Sequence, residues 1–138
     1  RTVTVVADAS LVYTRSVNAS GQLTVQQAAS SVVAGLGYQH EIEALPLLAT
    51  NARGLGSDVP YRPVRITFRL LETRALAVDT GNGARPLPLA GTTPFTGDVA
   101  TRAYGWRRGT TTPPWRVAQT TPLPSTILSV TTEIKVND

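Results

Sequence analysis

The sequence predicts an all-β fold, specifically an antiparallel β-sandwich with long loops rich in glycine and proline. Apolar and polar residues alternate with a period of two in several runs, and turn residues separate these runs at strand-length intervals. Nearly all of the 11 glycines and 10 prolines lie in those turns. Because successive side chains of a strand point to opposite faces, each run predicts a strand with one face on a core and the other in water or against a partner.

The clearest alternation lies in three runs. The first strand is predicted in "TVTVV", from Thr2 to Val6. In "PVRITFRL", Val64, Ile66, Phe68 and Leu70 share one face, whereas Arg65, Thr67 and Arg69 share the other. In the last run, the core side is predicted to carry Leu128, Val130, Thr132, Ile134 and Val136. "LVYTRSV" and "WRVAQT" predict shorter strands.

One segment, "VQQAASSVVAGLGY" from Val25 to Tyr38, fits both a helical stripe and an alternating strand. Gly35 and Gly37 would weaken a helix by about 1 kcal/mol each relative to alanine. We therefore expect a strand there. Turn signals elsewhere, such as "NARGLGSDVP" and "DTGNGARP", complete the prediction of a single β-sandwich domain over residues 1–138.

The length and composition narrow the possible classes of protein. A chain of 138 residues can bury roughly two-thirds of its unfolded surface in one core. No apolar run approaches the ~20 residues of a membrane span, so we expect no membrane anchor. The absence of cysteine excludes disulfides, thiolate catalysis and sulfur-ligated zinc. Because the chain starts at Arg1 with a strand pattern, we expect a piece of a longer protein or a mature product.

The charge is modestly basic, with a net charge of +4 and twelve arginines against the single Lys135. Arginine favours planar, bidentate contacts at interfaces. An excess of this size slightly favours nucleic acid as a neighbour and is only a weak electrostatic attraction.

The candidate catalytic residues form no recognisable motif, and we expect neither an enzyme nor a bound cofactor. His40 alternates with Glu41 and Glu43, so a strand would turn the carboxylates away from the imidazole. We expect His40 to be half-buried and hydrogen-bonded. A Ser-His-Asp triad would assemble only in the fold, but no G-x-S-x-G turn is present.

The carboxylates predict turns and edges. Glu41 and Glu43 fit a solvated edge or a contact between subunits, and Asp98 after Gly97 fits a turn with an Asx hydrogen bond. Calcium binding by Asp58 or Asp79 would require an Asp-rich loop, which the sequence lacks. "GLG" and "GNG" lack the rest of a phosphate-binding pattern and predict turns.

Residues 94–130 contain the one stretch with binding character. Trp106 and Trp115 lie beside Arg107, Arg108 and Arg116. These side chains could stack on sugars, bases or a partner's apolar side chain. Alternatively, one tryptophan caps the core and the arginine stems cover it. We expect residues 94–115 to form a long exposed excursion between core strands, with prolines holding its return leg extended.

The order of several motifs resembles the C-terminal β-domain of phage tail nozzle proteins, also called tail tubular protein B or DNA-stabilization proteins. The resemblance starts with "VVADASLV", "GQLTV" and "ASSVVAGLGYQHEIEALPL". It continues through "RPVRITFRLLETRALAV" and "PLPLAGTTPFTGDVATRAYGWRRG", and ends with "TTPLPSTILSVTTEIKV". The family often has acidic residues after the Gly-Trp step, where this chain has Arg107 and Arg108.

The resemblance implies a structural virion protein of short-tailed bacteriophages. Nozzle proteins form a ring, usually of six copies, below the portal and its adaptor. The ring retains and then releases the packaged DNA, and tail fibre proteins attach nearby. Arg65 and Arg69 on an outer strand face suit contacts with neighbouring subunits. A +4 charge spread along the chain suits a conduit better than a clamp, because each phosphate contact holds DNA in place. The alternative is a carbohydrate- or receptor-binding β-sandwich that uses Trp106 and Trp115.

Overall fold

The computed structural model describes residues 1–47, 50–51, 54–55, 60–91, 94–108 and 111–136, and the fold in these residues is all-β. The thirteen strands are β1 (Thr2–Ala7), β2 (Leu11–Ser16), β3 (Val32–Gly35), β4 (His40–Glu43), β5 (Thr50–Asn51), β6 (Gly54–Leu55), β7 (Pro60–Thr73), β8 (Ala77–Asp79), β9 (Ala84–Pro86), β10 (Phe95–Arg102), β11 (Arg107–Arg108), β12 (Arg116–Gln119) and β13 (Ile127–Val136). Every pairing between them is antiparallel.

Two four-stranded sheets enclose the main core. In the first sheet, β7 lies at the centre, with β13 paired along it and with β10 and β11 also paired to it. The second sheet has the order β4-β12-β8-β9. The core cluster draws on both sheets and contains Ile66, Phe68, Leu70, Leu76, Val78, Leu87, Val99 and Val117. The prediction of an all-β sandwich is therefore confirmed.

The central strand β7 shows why the sequence folds in this way. Ile66, Phe68 and Leu70 are fully buried, whereas Arg65 and Arg69 between them are exposed, as the alternation predicts. β-branched and aromatic side chains pack well on the inner face of a pleated sheet. Burying each of these three apolar side chains contributes about 1.5–3 kcal/mol relative to leaving it exposed.

A third sheet, with the order β2-β1-β3, occupies the N-terminal part of the chain. The connection between β2 and β3 is held to this sheet by Asp8, whose carboxylate accepts hydrogen bonds from the Ser30 and Ser31 amides at 2.9 Å. The Tyr13 hydroxyl also accepts a hydrogen bond, from the Gln26 amide. The strand predicted over residues 25–38 is limited to β3, because residues 25–31 make these side-chain contacts and not ladder pairs.

Two further predictions from local pattern are wrong. The first concerns Leu128, which was expected on the core side and is exposed, since the pairing of β13 with β7 shifts register between Ile127 and Ser129. The second concerns the excursion over residues 94–115, whose first leg forms β10 and pairs with the central strand β7. Asp98 accordingly lies in a strand, opposite Arg69, and not in a turn. The loop proper is limited to the chain between β10 and β12.

Among the described residues, no helix is long and apolar enough to cross a membrane.

Candidate interaction surfaces

Arg107 braces the loop between β10 and β12. Its guanidinium donates hydrogen bonds to the carbonyls of Pro113 and Thr80, each at 3.3 Å, and to that of Trp106 at 3.5 Å. A planar guanidinium with five donors suits several carbonyls at once. These contacts tie both legs of the loop to the turn after β8. The side chain is half-buried, so its first role is to hold the loop together.

The turn after β8 can approach the Arg107 guanidinium this closely because it contains glycine. Gly81 has a φ of +111°, and a Cβ there would fall on the Tyr104 carbonyl and the Arg107 guanidinium. The Tyr104 amide donates to the Thr80 carbonyl at 2.9 Å, and the Thr80 hydroxyl donates to the Arg102 carbonyl at 2.9 Å. The turn and the loop are therefore one hydrogen-bonded unit.

The two tryptophans have different environments. Trp115 is half-buried, packs on the core cluster and meets Phe68 edge-on, with the ring centroids 5.5 Å apart. Trp106 is 54% exposed, and Tyr104 two residues earlier is 51% exposed. Of the two alternatives open from the sequence, core capping holds for Trp115, and solvent exposure holds for Trp106.

Arg116 is placed between two carboxylates. Its guanidinium forms ion pairs with Asp79 at 3.5 Å and with Glu43 at 3.8 Å. These residues line an open hollow of about 380 Å³ together with Arg107 and Trp115. Both arginines of the hollow already have protein partners. The part of the loop left for a ligand or partner is therefore Tyr104, Trp106 and the exposed Arg108, which we call the aromatic loop.

The outward side of the β13-β7-β10 sheet is a second surface, which we call the outer face. Its residues follow from the register and lie in rows across the three strands: Asp98, Arg69 and Ser129; Ala100, Thr67 and Thr131; Arg102, Arg65 and Glu133; and then Arg62 opposite Lys135. Five cations and two carboxylates give this face a net charge of +3, out of +4 for the whole chain.

The charges at the two ends of the outer face differ. At one end, the Arg69 guanidinium donates two hydrogen bonds to Asp98, at 2.9 and 3.1 Å. This hydrogen bonding lowers the pKa of the Asp98 carboxyl and raises the pKa of Arg69. At the other end, Arg62, Arg65, Arg102 and Lys135 surround the single carboxylate of Glu133, and we call this part the basic end. Its four cations form no ion pair with any carboxylate that the structure describes.

A third surface consists of apolar residues between β3 and the segment after β4. Its large side chains are all exposed: Val32, Val33, Leu36, Tyr38, Ile42 and Leu45. Tyr38 is 75% exposed and Leu45 is 84% exposed. The strand β3 has a partner on one side only, in the pairings of the described residues. No charged residue occurs from Ser16 to Gln39. We call this surface the apolar stretch.

The structure brings together no catalytic or metal constellation in the part of the chain that it describes. His40 is half-buried at the start of β4, and its ring lies 6.4 Å from that of Tyr38. No group of three His, Asp or Glu residues is placed to hold a metal ion within the described ranges. Asp58, one of the calcium candidates, lies outside those ranges.

Of the residues singled out in the sequence, Arg107, Trp115 and Arg116 contribute to the fold, and Trp106, Arg108, Arg65 and Arg69 are exposed. The sequence did not single out Arg62, Arg102 and Lys135, because they join Arg65 only through the register of three strands. The apolar stretch was also missed, although its residues from Val32 to Tyr38 lie in a run of 24 uncharged residues, which was a readable signal. Neither a protein-family model nor a curated protein matches this chain.

Proposed function

We propose that the chain is a structural and interaction module of a phage tail nozzle. In this role it assembles into a homo-oligomeric ring, of six copies as in the family it resembles, below the portal and its adaptor. The ring retains and conducts the genomic DNA, with tail fibre proteins attached nearby, and the protein resides in the virion without catalytic activity. The ordered motifs from "VVADASLV" to "TTPLPSTILSVTTEIKV" support this proposal.

The observation that carries the proposal is the apolar stretch. The stretch exposes six large apolar side chains within residues 32–45, and exposed apolar surface of this kind marks contacts with other molecules. Proteins also protect exposed edge strands with charges, prolines or bulges, and β3 has none of these in "VVAG". An uncharged, apolar edge of this kind fits a subunit that meets neighbours in an assembly.

A second candidate function is a carbohydrate- or receptor-binding module. It is favoured by the exposure of Tyr104 and Trp106, since aromatic rings in water are common stacking surfaces for ligands. From the sequence, both Trp106 and Trp115 are candidates for stacking on such a ligand. Because Trp115 packs against Phe68, Trp106 is the ring that a glycan would contact, and Trp106→Ala would abolish the binding.

The first experiment is electron microscopy of phage particles from the source, labelled with a gold-conjugated antibody against this protein. We expect gold at the tail, below the portal. Gold on fibres or on the capsid, or no label on any particle, would contradict the nozzle role. Label on fibres would favour the receptor-binding alternative.

A second experiment tests the apolar stretch directly. Sedimentation velocity on the purified protein should show an oligomer that Val33→Lys dissociates, because the variant places a charge on the β3 edge. Leu128→Lys is the matched control, since Leu128 is 56% exposed and lies outside the stretch. A monomer at all concentrations, or equal effects of the two variants, would remove the support that this stretch gives.

A further inference from the structure

The basic end of the outer face is a concentrated cationic site within a weakly basic protein. Arg65 lies directly opposite Arg102 on β10, and Arg62 lies directly opposite Lys135 on β13. Neighbouring strands are about 4.8 Å apart, so these cations occupy a patch about 10 Å across. Arg62, Arg65 and Arg102 line the same open hollow, of about 670 Å³.

These cations repel one another, and the fold gives them little compensation. Like charges directly opposite on neighbouring strands destabilise a sheet. Glu133 is the single carboxylate of this end, and it forms no ion pair with any of the four cations in the described structure. The arrangement therefore favours an anion that comes from another molecule.

The neutral side chains between the charged rows indicate which kind of anionic partner fits this face. Protein interfaces are organised around buried aromatic or aliphatic anchors. The middle of the outer face has none, since its row consists of Ala100, Thr67 and Thr131. Hydroxyl groups and arginines on a flat surface are the donors that proteins use for phosphate and sugar oxygens. Of the large exposed apolar side chains, most lie on the apolar stretch, and Tyr104 is the one that lines the hollow of the basic end.

We propose that the basic end of the outer face binds the phosphate backbone of duplex DNA, an inference that rests on the proposed function for the identity of the nucleic acid. Arg62, Arg65, Arg102 and Lys135 supply the positive charge, and Thr67 and Thr131 supply neutral donors. Contacts to phosphate oxygens carry no base information, so the contact is independent of sequence. Each copy makes a weak, salt-sensitive contact that slows DNA before release.

The test is fluorescence anisotropy with a labelled 30-base-pair duplex and the full chain, across 50 to 200 mM salt. Affinity should fall with salt at a slope of roughly −0.9 for each phosphate contacted, or about −3.6 for the four cations. The variant Arg65→Gln/Arg102→Gln should weaken binding at least about tenfold at low salt and reduce the slope by about 2.

Two further variants keep the result interpretable. Arg15→Gln/Arg85→Gln removes the same charge from exposed positions on the other sheets and should change binding less than about twofold. Glu133→Gln removes the only carboxylate that the described residues place at the basic end and should strengthen binding about threefold. A gain of this kind cannot come from a loss of folding. Equal losses in both double variants, or no gain for Glu133→Gln, would overturn the inference.

The same assay separates DNA from an acidic protein. Poly-glutamate at equal charge should compete at least about tenfold less well than unlabelled duplex, because duplex DNA carries one charge per about 1.7 Å of its axis and an extended polypeptide only one per about 3.4 Å. Equal competition would overturn the assignment to DNA and indicate an acidic protein partner. Loss of DNA binding with gold still at the tail would remove this inference alone. DNA binding without gold at the tail would remove the nozzle role and leave a nucleic-acid-binding face.

Discussion

Trp115 lies edge-on against Phe68, with ring centroids 5.5 Å apart and an interplanar angle of 74°. Edge-to-face pairs contribute about 0.5–1.5 kcal/mol beyond the apolar area that they bury. The contact joins β7 of one sheet to the residue that precedes β12 of the other. It therefore couples the two halves of the sandwich.

Trp115→Ala should reduce the free energy of unfolding by about 2–4 kcal/mol, because it leaves a cavity over Phe68 and removes the ring contact. Trp106→Ala is the matched control and should change stability by less than about 0.5 kcal/mol, since its ring is exposed. Urea unfolding followed by circular dichroism measures both. Equal losses would mean that both rings belong to the core.

Gly81→Ala should destabilise the protein by about 3 kcal/mol or more. The added Cβ meets a backbone carbonyl and the braced Arg107 guanidinium, and φ is positive as well. Gly83→Ala is the control. At a φ of +77° alanine meets the same kind of backbone strain, whereas no atom lies within 4 Å of the added Cβ. It should cost about 1 kcal/mol. Thermal unfolding that gives the same value for both would show that Arg107 does not hold this turn.

Arg69→Gln should raise the pKa of Asp98 towards its ordinary value of about 3.9. In the native protein, the hydrogen bonds from Arg69 lower this pKa, so the pair stabilises the fold above the unfolded-state pKa. That contribution is lost as the pH falls through the folded-state pKa. Carboxyl carbon shifts in an NMR titration measure the change directly. Arg65→Gln, two rows away on the same face, should leave the Asp98 titration nearly unaltered.

The faces of the strands could be predicted from sequence, but the neighbours of most residues could not. Alternation correctly assigned Ile66, Phe68 and Leu70 to the core and Arg65 and Arg69 to the outside. Which residue lies opposite each arginine depends on register, and the register shifts at irregularities such as the one between Phe95 and Gly97. Local pattern contains no information on such shifts. The basic end was therefore invisible before the structure.

The environments of the two tryptophans were equally inaccessible from sequence. Each tryptophan precedes an arginine in "GWRR" and "PWRV". Trp115 follows the buried Pro114 and leads into β12, whose Val117 is in the core, so its ring is drawn over Phe68. Trp106 lies in the loop that Arg107 braces. The two rings differ in burial because they occupy different positions in the tertiary structure, and the similar local sequences do not encode this.

Tyr61→Phe should cost about 1 kcal/mol at pH 7, because it removes the hydrogen bond that the phenol donates to the Thr112 carbonyl at 3.2 Å. The difference between the two proteins should also narrow at alkaline pH. Burial raises the pKa of Tyr61, although a hydrogen bond with the Leu47 backbone and the charge of Arg107 oppose it. Below about pH 10 the phenol is protonated in both states, so its stabilising effect is complete.

As the pH rises beyond about 10, the unfolded state releases this proton first and the native protein loses stability that the phenylalanine variant retains. Urea midpoints from pH 7 to pH 11 for both proteins isolate this effect, since every other group titrates in both. A difference that stays constant over this range would show that the Tyr61 phenol ionises equally easily in the folded protein.

Gln119→Leu should reduce the free energy of unfolding by about 2–4 kcal/mol. The Gln119 side chain is buried, its Oε1 accepts a hydrogen bond from the Ala77 amide at 2.9 Å, and its Nε2 donates to the Thr121 carbonyl at 2.9 Å. Leucine fills a similar volume but leaves both backbone groups without these partners, and each unsatisfied group costs about 1–3 kcal/mol. Gln27→Leu, at an exposed position, should change stability by less than about 0.5 kcal/mol. If Gln119→Leu left the urea midpoint unchanged, water would have to reach both backbone groups, and the side chain would fill space without bridging β8 to the turn after β12.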